Sequence, residues 1–170
     1  MKTVFAPSSP EEAAQSLREA ADDGLAVAPW GSGTKQRIGP LPVGDFALVC
    51  TRRLSSIIDF DPDNLTITVG AGATLASVQQ AVHGAGLQAP LDPAHAGAAT
   101  IGGILASGVG GPRRLLYGAP RDLALGVRVA LPSGEMIKAG GKTVKNVAGF
   151  DLTKLVVGSM GTLGLMVEAT

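Results

Sequence analysis

The sequence predicts an α+β fold, and three observations support this class. An N-terminal segment with helical periodicity is followed by two short apolar runs, which indicates a βαβ-like start. Two later pairs of apolar runs flank turn sequences and therefore indicate hairpins. Further helices and strands follow without regular alternation. The 170 residues are enough for one domain, and no linker divides them.

The first helix has recognisable ends. Ser9 is the predicted N-cap, a proline follows at the first helical position, and two glutamates lie in the first turn. Gly24 ends this helix. Buried strands are predicted at 25–28 and 46–51, separated by a loop rich in Gly and Pro that runs from 29 to 44.

The later elements are bounded by turn and capping residues. The turn at 62–64 reads Pro-Asp-Asn, a sequence that presets turn geometry, and it joins strands predicted at 57–61 and 65–70. The other predicted elements are a helix from Thr74 to near Gly84 or Gly86, strands at 123–131 and 135–139, a helix at 151–157 and a strand at 163–170.

Composition excludes several classes of protein. A formal net charge of zero argues against a broad surface for nucleic acid or anionic membrane. Cys50 is the single cysteine, so no internal disulfide can form. No apolar run approaches the length of a membrane span, and the N-terminus lacks the apolar core of a secretory signal. The expected location is therefore the cytoplasm.

The first segment with a chemical signature is Pro29-Trp-Gly-Ser-Gly-Thr-Lys35, directly after a predicted strand. Glycines in such a turn allow backbone N–H groups to converge on an anion such as phosphate. A purely structural glycine turn explains the segment equally well. The dinucleotide fingerprint of Rossmann folds is excluded because its third glycine would fall at Gln36 and no helix follows.

The second segment runs from Thr100 to Gly111 and contains two glycine pairs among small residues. The first pair opens a predicted short helix. Small residues there allow the close approach of a diphosphate or of a large flat group. Tight packing between a helix and a sheet is the alternative explanation.

The third segment begins with Lys145-Asn-Val-Ala-Gly-Phe-Asp-Leu152 and continues to a loop in which Gly158, Gly161 and Gly164 recur. Other apparent motifs fail on spacing. The Walker-like sequence at 140–143 lacks its first glycine, and the aspartates at 59–63 lack the residues that close a calcium loop. The sequence therefore predicts no metal site and identifies no catalytic acid or base.

The three segments, in this order, resemble the FAD-binding domain of the vanillyl-alcohol oxidase/p-cresol methylhydroxylase (PCMH-type) family. The resemblance extends from about residue 8 to 170 and is greatest to the FAD-binding E subunit of bacterial glycolate oxidase and to D-lactate dehydrogenase. The segments that carry it are Ser107–Arg114, Tyr117–Asp122, Gly126 and Lys145–Leu152.

This resemblance implies one domain, 1–170, in which a small βαβ lobe (about 1–70) packs on a larger lobe (about 71–170) with a mixed or antiparallel sheet and helices. We expect no counterpart here of the C-terminal cap domain that covers the flavin in relatives. It also implies non-covalent FAD, because the Trp30–Lys35 loop contains no His or Cys. His95 is the one nearby candidate for a covalent link.

The resemblance assigns roles by motif. Gly31 to Thr34 would surround the diphosphate, the Thr100–Gly110 segment would line the diphosphate, ribityl chain and ring edge, and the strand 165–167 would face the adenine. The full set of expected cofactor-binding residues is Trp30, Gly31, Ser32, Gly33, Thr34, Lys35, Thr100, Ile101, Gly102, Gly103, Ala106, Ser107, Gly110, Asp122, Gly161 and Val167.

The function implied by the resemblance is that of an FAD-binding subunit or fragment of a complex that oxidises 2-hydroxy acids. Its partners would be a second FAD subunit and an iron–sulfur subunit, through which it could lie peripheral to the inner membrane without inserting. The alternative is a non-catalytic binding or assembly module that self-associates. A third reading keeps the fold with other chemistry, as in the FAD subunits of molybdenum hydroxylases and in the reductase of UDP-N-acetylenolpyruvylglucosamine.

Overall fold

The computed structural model describes residues 1–39, 42–142 and 150–170, which form two β-sheets with six α-helices and one short 3-10 helix around them. The elements are β1 (Thr3–Phe5), α1 (Pro10–Asp22), β2 (Ala26–Trp30), β3 (Phe46–Cys50), β4 (Ile57–Asp61), β5 (Thr66–Gly70), α2 (Leu75–His83), α3 (Ile101–Ser107), α4 (Arg114–Tyr117), α5 (Pro120–Leu123), β6 (Gly126–Ala130), β7 (Met136–Gly140), α6 (Leu152–Val156) and β8 (Leu165–Ala169).

The smaller sheet is parallel, in the order β1-β3-β2, with α1 connecting its two edge strands. The N-terminus of α1 is capped as expected: the Ser9 hydroxyl oxygen accepts from the Glu12 backbone N–H at 3.1 Å. The Glu12 carboxylate in turn accepts from the Ser8 backbone N–H at 2.7 Å. The first bond satisfies a donor that the helix itself leaves free, and the second holds the residue before the cap, so local side chains set where α1 begins.

The larger sheet is antiparallel throughout, in the order β4-β5-β8-β6-β7. One apolar cluster joins it to α2 and α3, and a second joins it to α1 and to β3 of the smaller sheet. Leu17 of α1, Val49 of β3 and Val167 of β8 meet in the second cluster, where they are 4% exposed or less. Helix α1 therefore packs between the two sheets.

An ion-pair cluster reinforces that junction. Arg128 of β6 reaches Glu11 of α1 at 2.9 Å and Glu168 of β8 at 3.0 Å. The pKa of Glu11 lies below its usual value, because its own backbone N–H and the Arg128 side chain donate to the carboxylate.

The main strands and helices follow the sequence expectation, with five differences. β1 was not expected, since three residues are too few to show a period. β2 extends through Trp30 instead of ending at residue 28, and the strand expected from 123 begins at Gly126 because α5 precedes it. Helices α4 and α5 have four residues each and show no helical repeat. The hairpin β4–β5 hydrogen-bonds within the larger sheet, so the sheets divide between residues 53 and 57, before the expected lobe boundary near 70.

Candidate functional site

A cleft of about 270 Å³ opens where the two sheets meet. Its walls are the loop that follows β2, one side of α3 and the loop 158–164 that precedes β8. These are the three glycine-containing regions that the sequence singles out, and they lie more than 50 residues apart along the chain. The fold therefore brings them together by tertiary packing.

The loop after β2 doubles back on Trp30. Gly33 has a φ of +74°, and a Cβ placed on it would lie 2.7 Å from the Trp30 indole. The Gln36 side chain donates to the Pro29 carbonyl oxygen at 3.0 Å and closes the turn. A residue with a side chain at position 33 would thus meet both steric and backbone strain.

The turn leaves a row of backbone donors beside the cleft. Within the described part of the chain, the N–H groups of Ser32, Gly33, Thr34 and Lys35 donate to no protein acceptor. Consecutive free N–H groups in a turn form a concave surface that attracts anions. The geometry therefore supports the phosphate-binding interpretation of this segment.

Helix α3 has a different role from the one its glycines suggested. The Thr100 hydroxyl accepts from Gly103 N at 3.3 Å, and Ile101 N and Gly102 N donate to the carbonyl oxygens of Ala73 and Ala71 at 2.8 Å each. Its first N–H groups are thus used within the protein and leave no donor for an anion.

Close packing accounts for Gly102, since a Cβ there would lie 2.8 Å from the Ala71 Cβ. Gly31 fits against the same helix end: a Cβ on it would overlap the Thr100 hydroxyl oxygen. The other small residues of α3, Gly103, Ala106 and Ser107, line the cleft. Tight packing therefore explains Gly102, which meets Ala71, and Gly31, which meets Thr100. The approach of a ligand remains the interpretation for the small residues of α3 that line the cleft.

The loop 158–164 is fastened to the end of α3. Gly158 N and Met160 N donate to the carbonyl oxygens of Leu105 and Ala106 at 2.9 and 2.8 Å. Met160 has a φ of +56°, an uncommon conformation for a residue with a side chain. Between them, the hydroxyl of Ser159 is buried and finds no hydrogen-bond partner among the described residues. Because buried polar groups are normally paired, this hydroxyl points to a ligand in the cleft that it lines.

Lys35 is the one charged side chain that lines the cleft within the described residues. Its ammonium group donates to the Ala94 carbonyl oxygen at 3.0 Å. Partial burial lowers the pKa of Lys35, because desolvation disfavours the charged form. The cleft thus holds a cation that an anionic ligand would stabilise.

The structure brings most of the expected site residues together. Trp30 to Lys35, Thr100, Gly102, Gly103, Ala106, Ser107 and Gly161 all line the cleft. Four others lie outside it: Ile101 is buried on the opposite side of α3, Gly110 packs on Pro120, the Asp122 carboxylate accepts from Ala119 N at 2.9 Å, and Val167 is fully buried. His95 is exposed and also lies outside, and the expected residues 145–149 fall outside the described chain.

Several residues that line the cleft are absent from the expected cofactor-binding set, although some of them lie in the third glycine segment or in the strand 165–167. They are Gln36, Thr51, Ala71, Ser159, Met160, Thr162 and Met166. Ser159 lies between two of the glycines that mark the third segment, so the sequence draws attention to its position. Its burial depends on tertiary packing, which the sequence does not show. The described residues contain no cluster of metal-ligating side chains and no helix long and apolar enough to cross a membrane.

Comparison with known proteins gives one family and several relatives. The family described as "FAD binding domain" matches residues 1–140. Glycolate oxidase subunit GlcD of Bacillus subtilis is 39% identical over 98% of this chain and 35% of its own length. Glycolate oxidase subunit GlcE of Escherichia coli is 37% identical over 91% of this chain and 44% of its own. D-lactate dehydrogenase of Archaeoglobus fulgidus is 36% identical over 98% of this chain and 37% of its own length.

Among solved structures, alkyldihydroxyacetonephosphate synthase superimposes with a TM-score of 0.82 and 26% sequence identity. The match covers 98% of this chain and 30% of that one. This chain spans less than half the length of each of these relatives.

Proposed function

This chain belongs to the family of FAD binding domains, and from that premise we propose that the cleft between its two sheets holds the cofactor without a covalent bond. The observation that carries this proposal is the row of N–H groups from Ser32 to Lys35, which donate to no acceptor among the described residues and belong to residues that line the cleft. Donors and a cation suit a diphosphate, and the unpaired Ser159 hydroxyl suits a further oxygen or nitrogen of the dinucleotide.

Each wall of the cleft has its own task in this proposal. The loop after β2 binds the diphosphate, with Trp30 packed beneath it. Gly103, Ala106 and Ser107 of α3 let the dinucleotide approach the helix backbone, and Gly161 shapes the remaining wall. Ile101, Gly110, Asp122 and Val167 hold these elements in place from outside the cleft.

For the activity, we propose that the chain is the FAD-binding component of an oxidoreductase acting on 2-hydroxy acids. Relatives named for glycolate and D-lactate support this substrate class. Bound FAD supplies the electron-accepting ring. The cleft itself presents Lys35 as its charged side chain among the described residues, so the groups that orient the substrate and take its proton come from elsewhere, such as partner subunits.

Relatives named as glycolate oxidase subunits support a multi-subunit complex. We propose that its other members are a second FAD subunit and an iron–sulfur subunit, which would receive the electrons. Such a complex would operate in the cytoplasm or at the inner face of the membrane. The test is anaerobic: FAD-loaded protein, mixed with those subunits, is expected to lose its flavin absorption on addition of glycolate or D-lactate. Unchanged absorption with both acids, while dithionite still bleaches the flavin, would refute the substrate assignment but leave the FAD site standing.

A non-catalytic assembly module is the second candidate, and one observation favours it. Large apolar side chains lie exposed on α4 and around α6: Leu115 is 90% exposed, Leu116 78% and Phe150 94%. Exposed apolar groups of this size promote association. Sedimentation analysis decides between the candidates, because an assembly module is expected to self-associate, whereas a monomer that turns over with its partners excludes this role.

A further inference from the structure

A second cavity, of about 540 Å³, lies on the other side of α3 from the cleft. Ile101 and Leu105 of α3 line this cavity, whereas Gly103 and Ala106 line the cleft. Its remaining walls are the β4–β5 hairpin, α2, the loop 86–91, Tyr117, the segment 123–125 and residues 169–170. We call it the apolar cavity. Because α3 separates the two spaces, the apolar cavity can be occupied independently of the cleft.

The walls of the apolar cavity are made of large hydrocarbon side chains that remain half-buried. They are Phe60, Ile67, Leu87, Leu91, Leu123 and Leu125. Protein interiors normally close around such groups. This cavity is instead open to solvent on one side, where Leu65 is 73% exposed and Tyr117 41%. A ligand with a hydrocarbon part would remove this apolar lining from water. The volume also falls within the range of small-molecule sites, which are mostly apolar with a few polar groups.

A chain of hydrogen bonds gives the cavity a polar rim. Arg113 donates from its guanidinium to the Gln88 side-chain oxygen at 3.4 Å, and Gln88 donates from its amide to the Tyr117 hydroxyl oxygen at 3.3 Å. Gln88 and Tyr117 line the cavity. The chain of donors thus ends at the Tyr117 O–H, which has no acceptor among the described residues and lies at the open side of the cavity, where Tyr117 is 41% exposed. An acceptor on a ligand would take the place of solvent there.

The charge at this rim favours an anionic head. Among the described residues, no carboxylate lies within ion-pair distance of the Arg113 guanidinium. The nearby Asp92 carboxylate accepts from the backbone N–H of Arg113 at 3.1 Å and not from its side chain. A positive group is therefore available to a ligand whose head meets Tyr117.

We propose that the apolar cavity binds a carboxylate that carries an apolar chain or ring, with its hydrocarbon part against Leu87 and Ile67 and its carboxylate at Tyr117 and Arg113. Small 2-hydroxy acids lack the hydrocarbon part that this cavity would enclose. The site is thus distinct in chemistry and in place from the cleft that holds FAD, and it does not depend on the function proposed for that cleft.

Decanoate is the probe, titrated by calorimetry into the 170-residue protein with and without saturating FAD. We expect saturable one-to-one binding with a negative heat-capacity change, because apolar surface is buried. Tyr117→Phe should weaken binding about fivefold to tenfold by removing the hydroxyl donor. Leu87→Trp should weaken it more than tenfold by filling the cavity, whereas Leu116→Trp, on the exposed face of α4, should change it less than twofold.

Circular dichroism and FAD binding establish that each variant is folded. Ala124→Leu, which fills the cavity at another wall, replaces Leu87→Trp if that variant does not fold. Absence of decanoate binding, or equal binding by Leu87→Trp and Leu116→Trp, would overturn the proposal. Decanol bound as tightly as decanoate would overturn the assignment of the carboxylate head. Loss of FAD binding in every protein would contradict only the function proposed for the cleft.

Discussion

The backbone N–H of Met160 donates to the carbonyl oxygen of Ala106 at 2.8 Å. This bond joins the last turn of α3 to the loop before β8 and places Ser159 in the wall of the cleft. The carbonyl oxygens at the end of a helix lack partners within the helix, so the loop satisfies them and is held in place. The wall that carries the unpaired Ser159 hydroxyl is therefore fixed by α3.

Ser159→Ala is expected to weaken FAD binding about threefold to tenfold, the usual worth of one hydrogen bond. The free energy of unfolding of the apoprotein should stay the same or rise slightly, because a buried hydroxyl without a partner is removed. Equilibrium titration with FAD and urea unfolding measure the two effects. Ser55→Ala, at an exposed position, is the control, and equal FAD affinity in the two variants would remove Ser159 from the site.

Gly31→Ala is expected to lower the free energy of unfolding by about 1–3 kcal/mol, the usual cost of overpacking. Its added Cβ would overlap the Thr100 hydroxyl, so the loop after β2 must move away from α3. FAD affinity should fall as well.

Gly84→Ala is the matched control for that change. Gly84 ends α2 with a φ of −61°, and a Cβ there would meet nothing within 4 Å. This variant should be neutral or stabilised by about 0.5 kcal/mol through loss of unfolded-state freedom. Chemical denaturation compares the two, and a Gly31→Ala protein as stable as Gly84→Ala would show that the contact is not tight.

Lys35→Met is expected to weaken FAD binding and to reduce its dependence on salt, since one cation near the diphosphate is lost. The apoprotein should become slightly more stable at neutral pH. Burial lowers the pKa of Lys35 in the fold, so the unfolded chain binds the proton more tightly. The burial of charged Lys35 therefore lowers the free energy of unfolding at every pH below the pKa of Lys35 in the folded protein. This loss disappears as the pH rises towards 10.5, the pKa in the unfolded chain.

Titrations with FAD at two salt concentrations test this prediction, and Lys138→Met supplies a control at an exposed lysine. Equal FAD affinity and equal salt dependence in both variants would place the diphosphate away from Lys35.

Arg128→Leu is expected to lower the free energy of unfolding by about 1–2 kcal/mol at pH 7, because Glu11 and the half-buried Glu168 lose their partner. The Glu11 pKa is lowered in the fold, so this contribution is present above pH 4.5 and is lost as the pH falls through the lower folded value. Urea unfolding at pH 7 and pH 3 should show the difference from the native protein shrinking at acid pH, and Arg18→Leu should show none. A difference that is the same at both pH values would mean that Arg128 acts by packing and not by charge.

The sequence predicts local features well because their causes are local. The Ser9 cap and the hairpin turn at 62–64 are encoded within a few residues, and both are found where expected. The contacts of Ala71 are different in kind. Its N–H donates to Val167 O and its carbonyl accepts from Gly102 N, so one residue links β8, α3 and the end of β5. No local pattern encodes such a crossing point.

The candidate site shows the same division. Each of the three walls of the cleft contains glycines that are visible in the sequence, because backbone that packs closely requires glycine. Gly102 and Gly103 both line the cleft, but the sequence could not show that only Gly102 is also packed tightly against Ala71. That distinction depends on neighbours more than 25 residues away.

The central claim is that FAD binds in the cleft that Trp30 lines, and Trp30 is the single tryptophan of the chain. The most direct measurement is its fluorescence during titration of the apoprotein with FAD, followed by acid precipitation of the complex. The account predicts saturable quenching at one FAD per chain, weaker in affinity for Ser159→Ala, and release of the flavin into the acid supernatant. Flavin bound with unchanged Trp30 emission would place it elsewhere, flavin retained in the pellet would mean a covalent link, and no binding at all would contradict the claim outright.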